Sequence, residues 1–385
     1  MKILMGIILI IILIAIAIYN WDELGKNPKG ADLDRFSSSV NFNKETKRFV
    51  NRRPKLISEM QKENFKWSNI IEWFKIKENQ TPTHKLPEIK PDISDFLRPA
   101  KELKSIWLGH STFLLNMSGK IILVDPVFSE AASPIKSMVK RFQKPVIALN
   151  DLPKIDFILI SHDHYDHLDT KSIKHFVGKD VKFVTPLGIG SHLKSWGIEE
   201  KNITEKDWWE SAEFGDLKFI ATPAQHFSGR QGFNGNSTLW ASWVIKDKTH
   251  NIYFSGDSGY DTHFKEIGDT YGPFDVAFME TGQYNESWKQ VHMMPSEAVQ
   301  AFKDVNANVF IPIHWGMFKL ALHTWSDPVE QLSKFSKLEN FKLVVPKIGE
   351  LLNHSGSFEN DFWWNMKPSI QSSFNKKTLR FQTQA

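Results

Sequence analysis

From Lys104 onward the chain is punctuated by short apolar runs: KSIWLG, TFLLNM, KIILVDP, DFILISH, VKFVTP, LKFIATP, LWASWVI, NIYFSGDS, DVAFME and NVFIPIHW. Several are apolar throughout instead of alternating, which is the pattern of strands covered on both faces. Helix-like periodicity falls between them, near 171–177, 188–195, 295–303 and 327–338. Strands interleaved with helices make an α/β chain. About ten strands exceed what one doubly wound sheet holds comfortably, so the pattern predicts a two-sheet sandwich with outer helices.

The two ends follow other patterns. A continuous apolar run extends from Ile3 to Ile18, with Lys2 before it and Tyr19 and Trp21 after it. As a helix it would reach about 24 Å, slightly short of a hydrocarbon core, with the flanking aromatics suited to the interfaces. The expectation for residues 1–19 is a hydrophobic membrane anchor. The alternative is a signal sequence, since Ala15-Ile16-Ala17 resembles a small-residue cleavage site. The first reading makes the protein membrane-associated on an undetermined side, and the second makes it secreted or periplasmic. Residues 20–100 form a polar extension wrapping the body. It carries the basic cluster Lys47–Lys55 and a candidate amphipathic helix over Asn64–Phe74, and is either solvated or placed beside anionic lipid. Residues 101–350, which hold the short apolar runs, are the expected main domain. In the tail, 351–385, Phe358, Phe362, Trp363 and Trp364 either dock on the body or add to a membrane-facing patch.

Composition narrows the chemistry. With 41% apolar and 24% charged residues the 385-residue chain has a globular profile. Its net charge of +4 is small against 48 basic and 44 acidic side chains, which gives no warrant for nucleic-acid binding. There is no cysteine, so disulfides, thiol nucleophiles and thiolate ligands are excluded, and any metal must be held by imidazole and carboxylate. No GxGxxG or GxxxxGK[ST] pattern marks a nucleotide site.

Polar groups with ligand character recur where the apolar runs end. His162, His164, Asp166 and His167 follow FILIS, His226 follows FIATPAQ, Asp257 follows IYFSG, and His314 follows VFIPI. Seven such residues are hard to explain as core packing, because buried groups of this kind need partners or metal. His162 and His164, two apart, can converge on one ion, and Asp166 and His167 can face a neighbouring one. Assigning His162, His164 and His226 to the first ion, and Asp166, His167 and His314 to the second, leaves the two oxygens of Asp257 to bridge them. A bridging water then completes a two-metal hydrolytic centre. This all-nitrogen-and-oxygen set suits two Zn²⁺ ions best, with iron, manganese and cobalt also compatible. His110, in LGHST, either orients a ligand or bonds a strand turn. Trp315 and Phe318 either wall a channel or fill the core.

The HxHxDH pattern with later His, Asp and His resembles the metallo-β-lactamase superfamily. That resemblance implies a four-layer αβ/βα sandwich with metals at one edge of the sheets, here carrying an N-terminal hydrophobic helix. Over residues 95–350, WLGHSTFLL, SHDHYDHLD, DWWE, TPAQHFSGR, GDSGY and PIHWG are similar to the N-acylphosphatidylethanolamine-hydrolysing phospholipases D. This implies a dinuclear zinc phosphodiesterase that releases an N-acylethanolamine and leaves phosphatidic acid. The same-fold alternative acts on a lactone, a cyclic phosphodiester or another phospholipid. By position in the motifs, the metal roles fall on the seven residues above. His292, in HMMPSEA, matches a histidine near the active site. Asp166 and His292 are the candidates for proton transfer. The partners implied are a phospholipid substrate and the membrane surface, with a homodimer also admitted.

Overall fold

The computed structural model describes residues 21–64, 78–98, 102–231, 235–358 and 360–365. The expected anchor at 1–19 and the candidate helix beyond Asn64 lie outside these residues. Among the described residues no helix is long and apolar enough to cross a membrane.

A short hairpin, β1 (Phe42–Asn43) and β2 (Arg48–Phe49), precedes the body. The first sheet contains β3 (Lys104–Trp107), β4 (Phe113–Met117), β5 (Lys120–Val124), β6 (Phe157–Leu159), β7 (Lys182–Pro186) and β8 (Ile203–Lys206). The second contains β9 (Ser211–Phe214), β10 (Leu217–Thr222), β11 (Ser242–Lys246), β12 (Asn251–Phe254), β13 (Val276–Glu280), β14 (Val309–Ile313) and β15 (Lys342–Leu343). The last strand, β16 (Leu351–Asn353), returns to the first sheet beside β3. Each sheet has seven strands, in the orders β16-β3-β4-β5-β6-β7-β8 and β9-β10-β11-β12-β13-β14-β15. In each sheet antiparallel strands give way to parallel ones, at β5 in the first and β12 in the second.

All ten apolar runs contain a strand, and the reason is visible in β4 and β5. Phe113, Leu115, Met117, Ile122 and Val124 face the core between the sheets, and Leu114, Ile121 and Leu123 face a second cluster outside the first sheet. With side chains alternating faces and both faces covered, neither face can be polar. Phe113 stacks on Phe278 across the sandwich, with ring centroids 4.1 Å apart. The helix Ile189–Ser195 packs on β7 and β8, and the helix Pro295–Asp304 packs on β13. These helices on the outside of two face-to-face sheets give the expected αβ/βα layering. The helices begin within a residue of the periodic segments, except that Thr170–Lys174 ends three residues short of 177. The helix His263–Tyr271 and strands β8, β9, β15 and β16 carried too weak a pattern to be anticipated.

The described part of the N-terminal extension is more than a solvated wrap. Phe36, Phe42 and Phe49 form an aromatic cluster continuous with the main core, and Phe36 and Phe49 are fully buried. Arg52 pairs with Glu266 and Arg53 with Asp261, so these two guanidinium groups meet carboxylates of the body. In the tail, Trp363 stacks with Trp315 at 5.4 Å and donates from Nε1 to the Val345 carbonyl. Trp364 is also buried, whereas Phe362 is partly exposed.

Candidate metal centre

Parallel strands share a direction, so their C-terminal ends fall along one edge. The chain uses that edge for its ligand-type residues. His110 follows β3, Asp125 follows β5, the loop bearing His162 to His167 follows β6, His226 follows β10, Asp257 follows β12, Glu280 ends β13, and His314 follows β14. His110, Asp125 and His314 all take the left-handed backbone conformation, with φ of 54°, 38° and 65°. Three non-glycine residues in that strained region, all at one site, point to a functional constraint on backbone direction.

The seven candidates meet here. Ring nitrogens of His162, His164 and His226 form one tight group; Asp166, His167 and His314 form a second with His110; Asp257 joins His162 and His167 in a third. In the HDHYDH loop alternate side chains diverge. Asp163 turns away, accepting hydrogen bonds from the Gly229 amide at 2.7 Å and Thr238 Oγ1 at 3.1 Å. Tyr165 donates to the Arg230 carbonyl at 2.6 Å. Arg230 is itself buried and donates to the carbonyls of Asp163 and Leu168, at 2.8 and 2.7 Å, clamping the loop from behind.

The hydrogen bonds fix which nitrogens carry lone pairs. His226 Nδ1 faces the Val291 carbonyl at 3.0 Å, which can only accept, so in the neutral ring Nε2 is unprotonated. Ser161 Oγ lies 2.5 Å from Asp125 Oδ2 and 2.9 Å from His162 Nδ1. Its single proton goes to the carboxylate, so His162 Nδ1 donates to it and His162 Nε2 is also left bare. Both Nε2 atoms point at His164 Nδ1, at 2.9 and 3.2 Å, and that atom has at most one proton to give. At least two of the three nitrogens therefore present unshared lone pairs to one another, an arrangement that calls for a cation. The same holds beside Asp257. His167 Nδ1 bonds Asp125 at 2.7 Å, and its Nε2 lies 3.1 Å from Asp257 Oδ2. His167 Nε2 and Asp257 Oδ1 are both buried without a hydrogen-bond partner. The donor set thus fits a metal, and the cluster is capable of binding one.

Electrostatics agree at four of the five candidate imidazoles; at His167 burial is outweighed by Asp257, Asp166 and Asp125, which hold the ring well above the ordinary range, so that a cation there would take the place of its proton. Burial, reinforced by neighbouring imidazoles, holds His162, His226 and His314 well below the ordinary histidine range. Burial brings His164 down to about 4, keeping it neutral as a ligand must be. Burial pushes the Asp257 carboxyl up to about 7, a burden that a nearby cation would reverse. Burial also penalises the charge on Asp166, but His167 and the His110 hydrogen bond outweigh it and hold that carboxyl well below its usual value.

Other expectations resolve geometrically. His110 Nε2 lies 2.9 Å from Asp166 Oδ2, so His110 orients a candidate ligand. Trp315 is core, sandwiched by Trp107 and Trp363. Phe318 is buried with its ring edge-on to His110 at 5.1 Å. His292 lines the cleft, its Nδ1 2.5 Å from Glu280 Oε1. Three site residues escaped the motif reading: Asp125, Ser161 and Glu280. Asp125 and Glu280 end apolar runs in KIILVD and DVAFME, so the rule that singled out His226 and Asp257 reaches them when applied to every run.

A cleft of about 440 Å³ opens over the cluster. It is lined by His164, Asp166, Asp257, His292 and His314 together with Met60, Phe227, Trp288, Val291 and Leu320.

Comparison with known proteins agrees with this architecture. Residues 120–315 match the β-lactamase superfamily domain. An uncharacterized protein of Mycobacterium tuberculosis is 38% identical over 325 residues, covering 83% of this chain and 86% of its own. An N-acyl-phosphatidylethanolamine-hydrolyzing phospholipase D of Caenorhabditis elegans is 33% identical over 296 residues, covering 72% of this chain and 81% of its own. Among solved structures, a metallo hydrolase of Ignicoccus hospitalis superposes with a TM-score of 0.50 at 23% identity, covering 67% of this chain and 99% of its own. With its paired sheets, its histidine and aspartate cluster at their shared edge, and these relatives, the chain belongs to the metallo-β-lactamase superfamily and within it resembles the N-acylphosphatidylethanolamine-hydrolysing phospholipases D.

Proposed function

We propose that this metal-dependent hydrolase is a phosphodiesterase of the phospholipase D type, cleaving N-acylphosphatidylethanolamine to N-acylethanolamine and phosphatidic acid. The observation that carries the reading is the cleft itself, where apolar side chains line the same space as carboxylates and imidazoles. Such a cleft suits a substrate with long hydrocarbon chains and one anionic, reactive group. A lactone or a cyclic phosphodiester has little use for lining residues such as Met60, Phe227, Trp288 and Leu320. The relative named for this activity, 33% identical over 81% of its length, supports the same choice.

In this reading His162, His164 and His226 would hold one Zn²⁺ and Asp166, His167 and His314 would hold the other, with Asp257 beside both groups. When bound, the ions supply Lewis-acid activation of water and neutralise charge on the phosphoryl oxygens. The chain's own residues do the rest. His110 and Asp125 orient Asp166 and His167 through the hydrogen bonds described above. Asp166 and His292, which both line the cleft, are the candidates to manage protons. The apolar run Ile3–Ile18 supports a place at the bilayer, where a two-chain lipid need not be withdrawn into water at about 0.8 kcal/mol per methylene.

The test is incubation of metal-replete protein with mixed bilayer phospholipids and identification of the released headgroup by mass spectrometry, with Asp257→Asn as control. Release of N-acylethanolamine is expected. Unsubstituted ethanolamine as the main product, or turnover of lactones in preference to any phospholipid, would refute the assignment.

A further inference from the structure

Glu280 sits at the end of β13, fully buried, and carries a carboxylate that the motif reading never assigned. Burying that charge is costly, so an apolar residue or a glutamine would be the expected occupant if only packing were at stake. Its two oxygens are both engaged. Oε1 lies 2.5 Å from His292 Nδ1, and Oε2 accepts the backbone N–H of Ser258, directly after Asp257, at 2.6 Å. The second contact is to fixed backbone and holds the carboxylate still. The first spends His292 Nδ1 and leaves Nε2 as the ring atom available to the cleft that His292 lines. The His292 ring is braced as well, stacked against His314 with centroids 5.2 Å apart and planes 14° apart. A carboxylate behind an imidazole, held by a backbone amide, fixes ring orientation and supplies a matching charge when the imidazole carries two protons.

We propose that Glu280 is the positioning residue that holds His292 with Nε2 toward the phosphoryl group, so that His292 delivers the proton taken up by the departing alkoxide. The proposal rests on the phosphodiesterase reading and deepens it. The oxygen of the attacking water bonds to phosphorus, the bond from phosphorus to the alcohol oxygen breaks, and its electron pair stays on that oxygen, which takes the Nε2 proton. The pair begins with two protons, one on Nε2 and one between Nδ1 and Oε1, and ends with the second alone, as neutral imidazole beside carboxylate. One proton of the water stays with the product phosphoryl group. The other returns to Nε2 through solvent and restores the pair.

Glutamine at position 280 separates this role from packing. Its carboxamide matches the carboxylate in size but offers one acceptor and one donor where the site requires two acceptors. With its oxygen kept by the Ser258 amide, its NH₂ faces His292 Nδ1, which must then accept. The ring stays in place, but the shared proton is gone.

The experiment uses full-length wild type, Glu280→Gln and His292→Gln. The substrates are two phosphatidyl diesters that differ only in the leaving group, N-acylethanolamine or p-nitrophenol, and bound metal is measured in every sample. Aryloxide departs without a proton, whereas alkoxide needs one. Both variants are expected to lose about 10²–10³-fold in kcat on the N-acylethanolamine ester, within the usual range for a general acid. On the p-nitrophenyl ester they are expected to lose less than about five-fold, with KM and metal content unchanged, since only proton delivery is removed. Nitrogen-15 histidine NMR of metal-free protein gives an independent readout. His292 Nδ1 is expected to be protonated in wild type and bare in Glu280→Gln. An equal loss on both esters, or an unprotonated Nδ1 in wild type, overturns the proposal and leaves the phosphodiesterase reading standing. A wild type that cleaves neither ester sinks both.

Discussion

At the scale of single residues the site is governed by which atoms lack a hydrogen-bond partner. Asp257 is the clearest case, a buried carboxylate whose Oδ1 has no hydrogen-bond partner and whose neighbours are the four imidazoles of His162, His167, His226 and His314. Asp257→Asn keeps the shape but halves the acceptor capacity. It is expected to lower bound metal per chain by half or more, read by elemental analysis, and to reduce turnover by about 10²–10³-fold, as for other dominant electrostatic groups. Asp125 acts one step back, accepting from His167 Nδ1 and Ser161. Asp125→Asn is expected to weaken metal affinity by about 10–100-fold in a chelator competition titration, the usual effect of losing a group that orients a ligand. Asp125 was legible as the end of an apolar run. What only the fold revealed is that it faces His167, 42 positions away.

At the scale of elements the site depends on segments that contribute no ligand. Asn51, in the extension, donates from Nδ2 to the His226 carbonyl at 2.6 Å and accepts the His226 amide through Oδ1 at 3.1 Å. It ties residues just after β2 to the loop bearing a candidate ligand. Asn51→Ala leaves two buried backbone groups unpaired and is expected to cost about 1–3 kcal/mol in urea unfolding, with weaker metal retention. Gly259 has a different task. A Cβ there would meet the Gln290 carbonyl oxygen at 2.1 Å, because the turn after Asp257 runs against the segment leading to His292. Gly259→Ala is expected to destabilise by about 1–3 kcal/mol through overpacking, seen as a lowered melting temperature. Nothing in the sequence names the segment that this glycine passes, which lies 31 positions away at Gln290. The extension looked solvated for a related reason: its phenylalanines lack strand periodicity and find each other only when β1 pairs with β2.

At the scale of the whole molecule, buried neutral histidines make stability depend on pH. His192, His263, His323 and His354 lie outside the metal cluster, and burial holds all four below the ordinary range. Burial brings His263 down to about 3 and His354 down to about 4. In the unfolded chain both titrate near the ordinary value of 6.5. Folded-state values below unfolded ones mean that the unfolded chain binds more protons on acidification. Stability is therefore full above about pH 6.5 and falls as pH drops toward the folded values. Between pH 7.5 and 5 each should cost about 2 kcal/mol, from roughly 1.5 pH units of titration in the unfolded state alone. Urea midpoints of metal-free protein should fall over that range, and less steeply in a His263→Gln, His354→Gln variant. Equal slopes would show that other groups carry the acid sensitivity.

Sequence alone determined the α/β class, the ten central strands, four of the helices and the residue types able to hold a metal. Those properties are local, set by apolar periodicity and by the ligands available to a chain without cysteine. Tertiary structure decided the rest. It placed Asp125 behind His167, turned His110 onto Asp166, set Glu280 behind His292, and drew Arg53 onto a body carboxylate. None of these pairs is near in sequence, apart from Glu280 and His292, twelve residues apart. A contact across such distances follows from how two sheets bring the ends of their strands together, and periodicity carries no record of which ends will face each other.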